Sequence, residues 1–113
     1  MESISRLAMT GLPAPRTQVP ICTMDGRLIG RVDFYWEELG VVGEADGRTK
    51  YTDDALWLEK RRQDSLVEHG LVVERWTWAV ARRPGALPNL LRAAFSRAER
   101  LRAAGIHPRV RIL

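Results

Sequence analysis

Four side chains near the middle of the chain have types and spacing suited to chemistry on a phosphodiester: Asp33, Glu44, Asp46 and Lys50. Asp33 stands between Val32 and Phe34, and Glu44 and Asp46 close an apolar run that begins at Leu39. If the segments carrying Asp33 and Glu44 are adjacent antiparallel strands, the two carboxylates come together on one face. Carboxylates that close repel unless a positive charge lies between them. A hard divalent cation such as Mg²⁺ fits, because it favours carboxylates and carbonyls and keeps several waters. The carbonyl of Ala45 is a third candidate ligand, and Asp46 an additional or alternative one. Lys50, brought back by a turn at Gly47, would lie over the scissile phosphate or the water that attacks it. That is the arrangement of metal-assisted phosphodiester hydrolysis. On spacing alone a plain alternative is the stronger: Asp46-Gly47 is an ordinary turn and Glu44 a solvated strand end.

Positioning these groups requires particular elements. Residues 2–10 read as a short helix with Ile4, Leu7 and Ala8 on one face, stopped by the Gly and Pro residues of GLPAP. Residues 17–24 and 27–36 read as strands on either side of Asp25-Gly26, a hairpin signal, and Pro20 predicts an edge strand or a bulge. Leu28, Val32 and Phe34 alternate on one face of the second strand, with Asp33 on the other. Residues 39–46 are nearly continuously apolar, which predicts a central strand. Thr52, followed by Asp53 and Asp54, predicts a helix start. That helix runs to Gly70, with Leu56, Leu58, Leu66 and Val67 forming much of its buried stripe. Residues 71–78 predict a returning strand, RRPGALP a linker, and 89–105 a second amphipathic helix with arginines on its wet face.

The resulting order α, β, β, β, α, β, α predicts the α/β (α+β) class, a mixed sheet flanked by helices. Residues 1–81 form the expected core and 82–113 a basic helical extension packed on the same domain. The chain has 113 residues, enough for one small core. Its 45% apolar content and four Trp exclude a disordered composition. A single cysteine, Cys22, excludes an internal disulfide framework and a Cys-based zinc site, and points to a reducing, cytoplasmic compartment. No apolar run is long enough for a membrane span. Net charge is +4, yet the stretch from Arg82 to Leu113 holds eight Arg against Glu99 alone. Such a split points to a polyanionic partner at the C-terminal end.

The ordered set ESISR, GLPAPRTQ, GRLIGRVDFYW, VVGEADGRTKY, LEKRR and GLVVERWTW resembles the very-short-patch-repair (Vsr) endonuclease-like domain of the PD-(D/E)XK nuclease superfamily. The match covers residues 2–78. The resemblance implies a restriction-endonuclease-like αβββαβ core that binds Mg²⁺ at strand ends, with Mn²⁺ as a substitute, and cuts DNA. Asp33 corresponds to the Asp of the "PD" element, Glu44 to the acid of "(D/E)XK", and Glu2 to an acid often carried on the first helix. Asp46 stands where the superfamily has lysine, and Lys50 follows just after the Gly. Gln18 matches the glutamine after GLPxP and would contact water or phosphate.

Lys60, Arg61 and Arg62 read either as a solvated helix face or as phosphate contacts. Arg75, in the returning strand, is expected to pair with one of the acids. Trp76 and Trp78, at i and i+2, are expected to share one face and pack in the core rather than stack on bases. Arg82, Arg83 and Arg92 are candidate contacts to a phosphate backbone. The expected function is a Mg²⁺-dependent endonuclease acting on DNA. The alternative is a non-catalytic nucleic-acid-binding module of the same fold, which the lysine missing two residues after Glu44 would explain. Either a monomer or a homodimer fits the sequence.

Overall fold

The computed structural model describes residues 11–46 and 52–113. The expected helix at 2–10, with Glu2, and the turn carrying Lys50 lie outside the described residues. Three strands come first: β1 (Arg16–Thr23), β2 (Leu28–Trp36) and β3 (Val41–Asp46). Helix α1 (Asp53–Glu68) leads to β4 (Val72–Thr77). A short helix α2 (Trp78–Arg82), a long helix α3 (Ala86–Ala103) and β5 (Val110–Ile112) complete the chain. The class is α+β: a five-stranded mixed sheet in the order β4-β3-β2-β1-β5, flanked by helices. Pairing is antiparallel except between β3 and β4, which are parallel and joined through α1. No helix among the described residues is long and apolar enough to cross a membrane.

The local signals act as their chemistry predicts. The turn before β2 closes with Gly26 N–H donating to the Thr23 carbonyl at 2.9 Å, and Gly26 takes a φ of 95° that only glycine adopts cheaply. Thr52 caps α1, its hydroxyl accepting from Ala55 N–H at 3.1 Å. Pro20 does not mark an edge strand, since β1 is paired on both sides; it lies next to the point where the β1–β2 register shifts, between Ile21 and Cys22, and just before the stretch where β5 pairs with β1.

Two faces of the sheet bury different surfaces. Phe34, Trp36, Val41, Val72 and Trp76 pack against α3, which contributes Leu87, Leu91, Ala94, Phe95 and Ala98. Trp36 and Phe95 meet edge to face at 5.3 Å, and Phe34 and Trp76 stack at 5.8 Å. Gly43 makes room for them: a Cβ there would lie 2.7 Å from the Trp76 ring. The neighbours of these residues along the strands, Tyr35, Val42 and Val73, belong to the opposite cluster, with Leu66 and Leu71.

Several expectations require correction. Leu66 is the only buried residue of α1, whereas Leu56, Leu58 and Val67 are each more than half exposed. The stripe of α1 that turns inward is instead charged. Trp76 is buried as expected, but Trp78 opens α2 and does not continue the strand. The predicted linker is partly helical: α2 ends at Arg82 and α3 begins at Ala86 rather than residue 89. Segment 82–113 also supplies β5, so it completes the sheet as well as covering it.

Candidate functional site

The strands β2 and β3 pair through Trp36–Val41, Tyr35–Val42 and Phe34–Gly43, and there the ladder stops. Asp33 and Glu44 occupy the next rung. Side chains, not backbone, bridge it: Glu44 Oε2 accepts from Asp33 N–H at 3.1 Å, and Asp33 Oδ2 accepts from Ala45 N–H at 3.1 Å. Each carboxylate is thereby aimed by the backbone of the other strand. The two groups meet as strand adjacency predicts, but the expected Leu28–Val32–Phe34 face does not hold: Val32 packs in the cluster with Leu66, Phe34 in the cluster with α3, and Leu28 is exposed. Glu44 is buried, not a solvated end residue.

A polar depression of about 320 Å³ opens over this rung, lined by Arg31, Asp33, Glu44, Ala45, Asp46, Glu59, Arg62 and Arg75. Burying Glu44 requires a compensating charge, and two guanidiniums supply it. Arg62, reaching from α1, pairs with Oε1 of Glu44 and with Glu59. Arg75, on β4 opposite Glu44, donates to Asp46 at 2.8 Å, Glu59 at 2.9 Å and Gln63 at 2.6 Å, and lies 3.8 Å from Glu44. This network explains the inward stripe of α1. Glu59, Arg62 and Gln63 sit one and two turns before Leu66 on the same face, and the sheet beneath them is ionic.

The ionisation of the network follows from its contacts. Burial pushes the Glu59 carboxyl upward, but its bonds to Arg62 and Arg75 outweigh that and hold it below the ordinary glutamate range. Burial works against the charge on Arg62, yet Glu44 and Glu59 raise its pKa above the usual value. Arg75 is raised in the same way by Glu59 and Asp46, against its own burial.

Other expected site residues are distributed around this centre. Gln18 lies in β1 between Thr17, which pairs with Phe34, and Val19, which pairs with Val32, and so stands beside Asp33 in the sheet. It is the one non-glycine residue with positive φ (52°) among the described residues, a backbone strain of the kind that gathers at functional sites. Asp46 is held by Arg75. Lys60 lies over an adjoining depression lined also by Asp46, Leu56, Glu59, Gln63, Asp64 and Arg75, and pairs with Asp64 at 3.8 Å. The guanidinium of Arg61 stands over the Trp57 ring at 4.9 Å. Arg82 ends α2 and Arg83 caps it. Arg92 is on α3, across the sheet from the acids, and bonds Asn89 at 3.3 Å.

Much of the C-terminal basic charge is engaged locally. Arg102 donates to the carbonyls of Leu39, Gly40, Gly70 and Ile106, and burial lowers its pKa. Arg97 pairs with Glu74 at 2.8 Å.

The donor set can be tested against a metal. Among the described residues no three His, Cys, Asp or Glu side chains form a group able to hold a metal ion. Two carboxylates bridged across one rung with the adjacent Ala45 carbonyl are nonetheless hard oxygen donors, and Mg²⁺ is commonly held by one or two carboxylates with waters and phosphate oxygens completing the shell. The chemistry therefore fits Mg²⁺ or Mn²⁺ at Asp33 and Glu44, provided Arg62 yields the Glu44 oxygen. Asp46 is tied to Arg75, which makes it a weaker candidate.

Sequence reasoning missed Arg62, Glu59 and Arg31 as parts of the centre. Two signals pointed to Glu59 and Arg62. One is the Glu59–Arg62–Leu66 spacing, which puts charge on the stripe that ends in a buried leucine. The other is Gly30, a mid-strand glycine whose Cβ would meet the Arg62 stem at 2.6 Å. Comparison of the chain with models of known families, with curated proteins and with solved structures gives no match.

Proposed function

We propose that this protein is a Mg²⁺-dependent nuclease of the PD-(D/E)XK type that hydrolyses DNA phosphodiester bonds. The carrying observation is the rung beyond the β2–β3 ladder, where Asp33 and Glu44 are aimed by each other's backbone. Asp33, Glu44 and the Ala45 carbonyl would hold Mg²⁺ or Mn²⁺, which when bound polarises a phosphate and activates water. The residues themselves do the rest. The two carboxylates would fix where the cation sits, and Gln18, beside Asp33, would orient the water. Arg75 keeps its cationic fork at the rim, where charge develops on the phosphate oxygens. Lys50 is the electrostatic catalyst and Glu2 an accessory acid in this reading, both assigned from the sequence resemblance. Lys60, Arg61, Arg82 and Arg83 contact the phosphate backbone, giving affinity that falls with salt and reads little sequence. Arg92 contacts DNA only if the duplex extends around to the α3 side.

Cleavage of supercoiled plasmid and of single-stranded DNA, titrated with Mg²⁺, tests the proposal. The protein nicks at least one substrate, and Asp33→Ala and Glu44→Ala each abolish the nicking. Equal cleavage by the doubly substituted chain eliminates the site.

One observation favours a second reading: Arg62 already supplies the counter-charge that Glu44 requires. On that reading the chain is a nucleic-acid-binding module without catalysis. It would bind DNA in a salt-dependent manner, and divalent cations would change neither the affinity nor the DNA.

A further inference from the structure

Glu44 has one oxygen committed to the backbone and the other to a side chain. Oε2 accepts from Asp33 N–H, and Oε1 is the oxygen that Arg62 takes. The same Nη2 of Arg62 also contacts Oε1 of Glu59, and its Nε donates to that oxygen at 2.9 Å. A single guanidinium is thus shared between a buried carboxylate on β3 and a half-buried one on its own helix. Glu59 keeps a second anchor in Arg75, at 2.9 Å, so its position does not depend on Arg62. Arg75, with three partners of its own, is a fixture. Gly30 leaves the lane through which the Arg62 stem reaches the rung.

We infer that Arg62 is the site's own counter-cation: it occupies the Glu44 oxygen that a divalent cation needs, and Glu59 is the carboxylate on which it remains when it yields. This rests on the metal-dependent reading above and concerns how that site is regulated. Arg62 is a positioning residue that sets the metal affinity of the Asp33–Glu44 pair. Without a divalent cation it keeps Glu44 from being an uncompensated buried charge. When the cation arrives, Glu59 retains the guanidinium, so displacement does not leave an orphaned arginine. Weak resting affinity follows, and the site fills only when cation supply or an incoming phosphate favours exchange.

The test is calorimetric titration of the full chain with Mn²⁺, without nucleic acid, so the readout is binding and not activity. Gly30→Ala alters no charge but forces Arg62 aside, and Arg62→Met removes it. Both bind Mn²⁺ more tightly than the unmodified chain, by about tenfold, the lower end of what partners of metal ligands usually contribute. Glu59→Gln leaves Glu44 the only carboxylate on Arg62 and weakens binding by a similar factor. In the Arg62→Met background the Glu59→Gln effect disappears, because it acts through Arg62. If Arg62→Met fails to fold, Gly30→Ala decides. Binding by the unmodified chain that neither substitution tightens overturns the inference and leaves the metal site standing. No binding by any of these chains, Gly30→Ala included, overturns the metal-dependent reading beneath it.

Discussion

Helix α3 lays Leu87, Leu91, Ala94, Phe95 and Ala98 on one face of the sheet, while α1 lays Glu59, Arg62 and Leu66 on the other. The first contact is dry and aromatic. The second is apolar only around Leu66 and Leu71, and becomes an ion-pair network toward Asp46. Apolar burial is non-directional and supplies most of the folding free energy. A buried ionic contact adds little net stability, but it fixes geometry and can exchange its partners. The α3 face is therefore the part that holds the fold, and the charged half of the α1 face is the part that contributes least to it. Gly43 and Glu44 join the two: Gly43 lets the indoles close under β3, and the next residue along delivers its carboxylate to the other face.

The largest effect should separate the two helices. Leu91→Ala, at a fully buried position on α3, costs about 2–5 kcal/mol. Leu58→Ala, at an exposed position on α1, stays within about 0.5 kcal/mol. Denaturant midpoints read the contrast, and equal losses would break the comparison. Glu44→Ala comes next. It strips Arg62 and Arg75 of a shared acceptor, and its destabilisation of about 1–3 kcal/mol is smaller than that of Leu91→Ala because both arginines keep Glu59.

Acid should loosen α1 before α3. The Glu59 carboxyl is held below the ordinary glutamate range in the folded chain, so it binds fewer protons there than in the unfolded chain. Its contribution is therefore present above the ordinary range and lost as pH falls through the lowered value. Stability against pH, with hydrogen exchange resolving the two helices, reads this sequence, and Glu59→Gln flattens its acid limb. A pH profile unchanged by Glu59→Gln would count against the network. Among the ion pairs the smallest effect belongs to Arg97→Ala on α3, a part-exposed pair with Glu74, at about 0–1 kcal/mol and shrinking further in salt.

The strands were legible because alternation, Asp-Gly and Gly70 leave local marks, and the caps of α1 were legible because Thr52 stands before two acids. Asp33 and Glu44 could be paired from strand adjacency alone, and Arg75 was legible as the one basic residue of a largely apolar strand. The inward face of α1 was not. A charged stripe looks like the wet side of a helix until the sheet beneath it is known to carry Glu44 and Asp46, so Leu56 and Leu58 drew the assignment that belongs to Glu59 and Arg62. β5 was hidden by its length, three residues with an arginine in the middle. It becomes a strand through tertiary pairing with β1, not through its own propensity. The Trp78–Arg82 turn of helix was masked by a β-like TW pair and by the RRPG that follows.

The proposed function requires a divalent cation at Asp33 and Glu44, and linkage offers the most direct test. Ligand binding to the folded state raises the melting temperature in proportion to the logarithm of ligand concentration above Kd. Melting curves of the unmodified chain and of Asp33→Asn, recorded across a Mn²⁺ series at constant ionic strength, give the answer. A concentration-dependent rise is expected for the unmodified chain and none for Asp33→Asn. An unmodified chain that Mn²⁺ does not shift, or an equal shift in both chains, would contradict a cation at this pair.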